Sequence, residues 1–203
     1  MTSRRLNTSR RNFLQVAAAA ALAGNLPFAA FAQSGTKYKI GIIGSGKVGG
    51  AIGGAWVKAG HEVMFSSLDL AADKKLAASL GGKASAGTTR EAATFGTVLL
   101  LSVPYAAVPG IAKDVGGLFK GKIVIDTSNP IVARDGEVGA AAREKGAGLA
   151  TSEYFPGARI VRAFNAIGFA KMAVAASAST RVGMPIAGDD ASAIEIACEL
   201  MLA

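Results

Sequence analysis

Residues 38–52 read Tyr38-Lys39-Ile40-Gly41-Ile42-Ile43-Gly44-Ser45-Gly46-Lys47-Val48-Gly49-Gly50-Ala51-Ile52, and this stretch decides the fold. The run from Tyr38 to Ile43 is short and apolar, as a buried strand is. Glycines follow at 44, 46 and 49, the pattern G-x-G-x-x-G. Val48, Ile52, Ala55, Trp56 and Ala59 then recur at spacings of three and four, one apolar stripe along a helix that Gly60 stops. In a chain with 26 glycines such a pattern says little by itself. Between an apolar strand and an amphipathic helix it defines a geometry. Gly44 permits the tight turn out of the strand. Gly46 has no Cβ to hold a pyrophosphate off the backbone, and Gly49 lets the helix lie close to the sheet. The N–H groups of Ser45, Gly46, Lys47 and Val48 stand free at the helix start, where the dipole favours an anion. Ser45 adds a hydroxyl donor; Lys47 adds charge or is simply solvated. Gly53 and Gly54 weaken the helix by roughly 1 kcal/mol each relative to Ala, which a close contact with the sheet or a ligand would explain. The alternative is a turn of this shape that holds no ligand.

Outward from that turn, strands and helices alternate. Glu62–Phe65 reads as a second strand and Ala71–Leu80 as a helix. Val98–Val103 is very apolar, which implies burial on both faces and hence a parallel sheet. Val108, Ile111, Ala112 and Val115 mark another helix. Lys122–Asp126, Arg159–Phe164 and the short Pro185–Ala187 complete the strands, and Asp190–Leu202 is helical, with Ile194, Ala197, Cys198 and Met201 on one face. The expected fold is α/β: a Rossmann-type, doubly wound, mostly parallel sheet in a single domain over residues 39–203. Ligands of such sheets bind beyond the carboxyl ends of the strands, where strand order reverses.

Those ends carry the remaining candidates. An NAD site usually has an acid at the end of the second strand, bonded to the ribose 2′-hydroxyl. Here that end reads Phe65-Ser66-Ser67-Leu68, and Asp69 comes a few residues late. Ser66 and Ser67 can donate to a 2′-phosphate that a carboxylate would repel, so NADP is favoured and NAD stays open. No Arg follows directly; Lys74 and Lys75 either reach the phosphate or are solvated. Ser102, Val103 and Pro104 leave the apolar strand, with Pro104 suited to a helix start. Asn129-Pro130 follows Asp126. These two loops flank the expected nicotinamide end, Val103 and Pro104 as an apolar wall and Asn129 as an amide donor, although Asn129-Pro130 reads equally well as a turn initiator. His61 reads as a satisfied surface or turn histidine away from these ends, and Cys198 and Trp56 as core. Tyr105 stacks on a ring or packs; the sequence does not separate these.

Composition removes several classes. A hydrophobic fraction of 51% against 18% charged residues supplies a core, which argues against disorder. One Cys excludes an internal disulfide, and one Cys with one His cannot build a zinc site from soft ligands. The net charge is +8, four of it from Arg4, Arg5, Arg10 and Arg11 within residues 1–32, which hold no acid. The remaining +4 is spread without a Lys/Arg block, so no nucleic-acid footprint is present.

Residues 1–32 themselves read as an address. Ser9-Arg10-Arg11-Asn12-Phe13-Leu14-Gln15 resembles the twin-arginine export motif of bacteria. An apolar stretch from Val16 follows, too short and too broken by Gly24 and Pro27 for a stable membrane span. Ala30-Phe31-Ala32 then offers a small-x-small cleavage site. The alternative, an amphipathic helix of the folded domain, lacks a polar face. The resemblance implies the export machinery as a partner, folded export with cofactor inserted, a linker at 33–38 and the periplasm as destination, a retained membrane anchor being the alternative.

From about Lys39 the chain resembles the NADP oxidoreductases that act with coenzyme F420. The matching pieces are Ile40 to Gly46, Ala59-Gly60-His61-Glu62-Val63, Ser102-Val103-Pro104-Tyr105, Gly121 to Asp126 with Asn129-Pro130, Arg162-Ala163-Phe164-Asn165 and Ala187-Gly188-Asp189-Asp190. The resemblance implies hydride transfer between nicotinamide C4 and a small-molecule acceptor of deazaflavin, flavin or metal type, with no catalytic acid or base. Pyrroline-carboxylate reductases and membrane ferric reductases share the first half, so fold alone does not name the acceptor. The chain departs from the family in two places. Ser67-Leu68 stands where the family has Ser-Arg. The family also continues past Gly188-Asp189-Asp190 through a further strand and helical part, so the resemblance implies a truncated chain, or a substrate side that is open or completed by another subunit, as in a homodimer. A rival class is a non-catalytic NAD(P)-binding or redox-sensing module.

Overall fold

The protein is described by a computed structural model over residues 35–172 and 183–202. The export segment expected at residues 1–32 lies outside the described residues. Lys39–Ile43 forms β1, and Lys47–Lys58 forms α1. Glu62–Ser66 is β2, Leu70–Leu80 is α2 and Ala84–Ala86 is β3. Thr89–Phe95 makes α3 and Val98–Leu101 makes β4. A 3₁₀ turn at Tyr105–Ala107 leads into α4, Val108–Val115, and β5 is Ile123–Asp126. Then come α5 (Val132–Lys145), α6 (Ala147–Tyr154), β6 (Arg159–Arg162), α7 (Phe169–Met172), β7 (Ala187–Gly188) and α8 (Ala191–Leu202).

The described strands form one sheet in the order β3-β2-β1-β4-β5-β6-β7. All pairs are parallel except β6 with β7. The fold is thus the doubly wound α/β architecture with a mostly parallel sheet. The chain runs outward from β1 in both directions, and the reversal of strand order falls between β1 and β4. Register aligns the carboxyl ends of five strands in one row: Ser66, Ile43, Leu101, Asp126 and Arg162. The residues just beyond that row build the site.

Packing follows from strand alternation. Ile40, Ile42, Val63, Phe65, Leu100 and Ile125 face one side, where Trp56 of α1 and Ala193, Ala197 and Leu200 of α8 cover them. Leu99, Leu101 and Val124 face the other, under Tyr105, Phe119 and Phe155. Burying each such side chain contributes about 1.5–3 kcal/mol. Gly53 has its reason here: a Cβ on it would lie 2.5 Å from the Phe65 ring, so the helix sits where only glycine fits.

Several elements differ from the sequence reading. β4 stops at Leu101 rather than Val103, although Ser102 N–H still donates to Ile43 O at 2.8 Å. β6 ends at Arg162 because Phe164 takes a left-handed φ of 64°. β7 is Ala187–Gly188, so only Ala187 of the expected Pro185–Ala187 lies in the strand. The sequence reading contains no counterpart of β3, α3, α5, α6 or α7. The capping box of α3, Thr88 with Glu91, was a legible signal. α5 lacks a clear stripe and bends at Gly136 (φ 56°, ψ −138°).

Candidate dinucleotide site

The glycine loop joins β1 to α1 at the point where strand order reverses. Gly44 has φ +98°, and a Cβ there would lie 2.2 Å from Ser102 O, so the turn needs glycine on both counts. A Cβ on Gly49 would lie 2.1 Å from Gly44 O, which is how α1 comes so close to the strand end. Gly46 differs from both. It is the helix N-cap with φ −63°, and a Cβ on it meets nothing within 4 Å. Its missing side chain leaves open crevice, not room for protein.

Ser45 N–H is not free, contrary to the sequence reading. It donates to Ser66 O at 3.0 Å, beside Gly44 N–H at 2.9 Å, and so clamps the glycine loop to the end of β2. Among the described residues, the amides of Gly46, Lys47, Val48 and Gly49 donate to no acceptor, and no side chain caps the helix. These four amides at the positive end of α1 are what an anion would meet. Gly46 and Lys47 are exposed, while Val48 is half-buried and packs on the core. Lys47 Nζ lies over the Phe169 ring, 5.3 Å from its centroid, so α7 stands over the loop.

The β2 end is also corrected. Ser66 is fully buried and its hydroxyl donates to Ile42 O at 2.6 Å. It ties β2 to β1 and is not available to a 2′-phosphate. Ser67 is half-buried, and its hydroxyl donates to the Asp73 carboxylate, 3.0 and 2.9 Å from the two oxygens. Ser45 Oγ donates to the same Asp73. Sequence reasoning passed over Asp73 because it sits in a helix, not at the strand end. Asp69 caps α2, accepting from Ala72 N–H at 2.9 Å. Leu68 is fully exposed.

Across the crevice lie the loops after β4 and β5. Ser102 and Val103 are half-buried, Pro104 is exposed, and Val103 abuts the space beside Gly44. Tyr105 packs: it is fully buried, and its hydroxyl lies 3.2 Å from Ala147 O and 3.1 Å from Thr151 Oγ1. Burial raises its pKa. Asn129 is exposed, and its amide donates to Asn165 O at 3.0 Å. The loop around it is braced from two sides. Arg162 pairs with buried Asp126 at 2.6 Å and donates to Ser128 O at 2.9 Å. Arg134 donates to Asn129 O at 2.8 Å and pairs with buried Asp135. Asp135 also accepts from Ile131 N–H at 2.8 Å and Ala106 N–H at 3.2 Å, which ties the β4 loop to the β5 loop. The guanidinium of Arg134, with those backbone donors, holds the Asp135 carboxyl down at about 2 against its burial. Asp135 did not stand out in the sequence, and Asp126 did so only as a strand end.

His61 lies in the turn before β2, at the opposite end of the sheet. It is buried and its Nδ1 accepts Tyr38 N–H at 3.2 Å; burial first, then Lys37 and Lys83, lowers its pKa. Trp56 is buried with its indole N–H on Leu200 O, and Cys198 is half-buried on α8. Among the described residues no helix is long and apolar enough to cross a membrane.

Comparison with known proteins now adds to this geometry. Residues 39–130 match the sequence model of the family described as NADP oxidoreductase, coenzyme F420-dependent. That segment carries the glycine loop, the clamp to β2 and both loops across the crevice. No curated protein matches the chain. A candidate F420-dependent NADP-reductase from Arthrobacter sp. FB24 superposes with a TM-score of 0.67 at 19% identity, over 81% of this chain and 79% of that one. The hypothetical protein SMa0349 from Sinorhizobium meliloti gives 0.66 at 26% identity, over 86% of each chain. Pyrroline carboxylate reductase from Plasmodium falciparum, solved with NADP bound, gives 0.57 at 10% identity, over 81% of this chain and 54% of that one. The family and the reductases named here are NAD(P)-dependent oxidoreductases.

Proposed function

We propose that the chain is an exported NAD(P)-dependent oxidoreductase that passes a hydride between nicotinamide and an acceptor of deazaflavin, flavin or metal type. One observation carries the dinucleotide: four unpartnered amides, Gly46 to Gly49, open α1 at the strand-order reversal, where a Cβ on Gly46 would meet nothing within 4 Å. Those amides and the α1 dipole would hold the diphosphate. Ser102, Val103, Pro104 and Asn129 would flank the nicotinamide, with Arg162 and Arg134 holding the Asn129 loop in place. The bound nicotinamide supplies the hydride chemistry; the protein binds, orients and excludes water. The twin-arginine motif at Ser9–Gln15 would send the folded, nucleotide-loaded protein to the periplasm.

Calorimetry with NADPH and NADH tests the dinucleotide reading, with micromolar binding of one of them expected. Absence of binding by both overturns it. Stopped-flow oxidation of the bound reduced nucleotide by F420, flavins or ferric chelates tests turnover. Binding without turnover by any acceptor would leave a nucleotide-binding module. Export is tested by cell fractionation of an Arg10→Lys, Arg11→Lys variant, which should stay in the cytoplasm.

A further inference from the structure

We infer that Asp73 sets the choice of nucleotide and that this chain prefers NAD(H) to NADP(H), an inference that rests on the dinucleotide reading above. Asp73 is 2% exposed in the first turn of α2. It receives the hydroxyl protons of both serines on the β2 side of the crevice, Ser45 of the glycine loop and Ser67 after β2. A serine hydroxyl has one proton to donate and lone pairs that accept. With both protons turned inward onto one carboxylate, Ser45 and Ser67 offer the crevice only lone pairs. Ser67 Oγ already accepts from Asp69 N–H at 3.1 Å, which fixes its orientation further. Lone pairs accept from a ribose 2′-hydroxyl. They cannot donate to a 2′-phosphate, which would also meet the Asp73 charge behind them at short range.

The residues flanking Ser67 do not compensate. Ser66 is buried on Ile42 O. The residue after Ser67 is Leu68, fully exposed and without charge. Its apolar side chain suits the face of an adenine ring, not a phosphate. Lys74 and Lys75 lie on the exposed face of α2. Asp73 therefore acts through the two serines as a positioning residue: it sets the direction of their protons.

The test is the ratio of NADH to NADPH affinity, measured by calorimetry on the folded protein and on two variants. The wild type should bind NADH at least tenfold more tightly. Asp73→Asn keeps the shape, removes the charge and returns a donor to the serine pair, so the ratio should narrow about tenfold. Adding Leu68→Arg should reverse the preference, a gain that a damaged fold cannot mimic. If the wild type prefers NADPH, the inference falls while the dinucleotide reading stands. If the wild type prefers NADH and neither variant moves the ratio, Asp73 is not the determinant. If neither nucleotide binds the wild type, the dinucleotide reading itself fails.

Discussion

Replacing Gly46 by Asp separates binding from folding. A Cβ at Gly46 meets no atom within 4 Å, and the backbone there is extended with φ −63°, which any residue can adopt. Asp is moreover a favoured N-cap, so the helix should gain a few tenths of a kcal/mol or lose nothing. The fold should therefore survive, with the melting temperature within about 3 °C of the parent. Nucleotide binding should not. The new carboxylate would accept from the amides meant for the diphosphate and would stand beside its charge. Two unit charges about 4 Å apart repel by about 4 kcal/mol at an effective dielectric of 20. The crevice is open to water, so about 3 kcal/mol is a fairer figure, or roughly a hundredfold in affinity. Calorimetry with NADH and NADPH, alongside a thermal melt, reads both quantities. A folded Gly46→Asp variant with parental affinity would refute the assignment of this loop. The contrast is Gly49→Ala, whose Cβ would lie 2.1 Å from Gly44 O and which should fail by losing stability.

Arg162→Met should destabilise the protein by about 3–5 kcal/mol, because it strands the fully buried Asp126 without its cation; urea unfolding measures this, and a loss under 1 kcal/mol would contradict it. Asp135, held at about 2 in the folded chain and near 3.8 when unfolded, contributes stability that is complete above pH 3.8 and lost as pH falls toward 2. An Asp135→Asn variant should lose that part of the acid dependence. His61 has a folded pKa below 6.5, so its contribution is full above pH 6.5 and shrinks as pH falls below it, when a proton on Nδ1 would break the bond from Tyr38 N–H. His61→Gln should flatten the stability profile just below pH 6.5 in denaturant titrations.

The sheet was legible where side chains are periodic and large. β1, β2, β4 and β5 are apolar runs, and α1, α2, α4 and α8 carry stripes or end at glycines. β3 was not, because Ala84-Ser85-Ala86 is three small residues held by pairing to β2. α5 and α6 were hidden by Gly136, Gly139, Gly146 and Gly148, which dilute any stripe. At the site, the glycine loop could be read because glycine geometry is local: each missing Cβ answers a contact made within a few residues or across one strand. The serines of β2 could not. Whether a hydroxyl points to a ligand depends on what else can accept its proton. Ser66 found Ile42 O on the neighbouring strand, and Ser67 found Asp73 six residues on. Residue type alone offered two donors where the folded chain leaves none for a ligand.

Three buried carboxylates share one architectural task, which residue type and spacing alone do not reveal. Asp73 joins the glycine loop to the loop after β2. Asp135 joins the loops after β4 and β5. Asp126 joins β5 to Arg162 of β6 and to Thr151 of α6 at 2.9 Å. Each lies at the carboxyl-end rim of the sheet, where backbone N–H groups and hydroxyls leave the strand ladder and need new acceptors. A carboxylate accepts several such donors at once, and charge-assisted bonds are the stronger ones. The floor of the crevice is thus set by apolar strand packing, but its walls are set by acids that bridge adjacent loops. A ligand then meets amides and lone pairs whose directions are already fixed, so less ordering has to accompany binding.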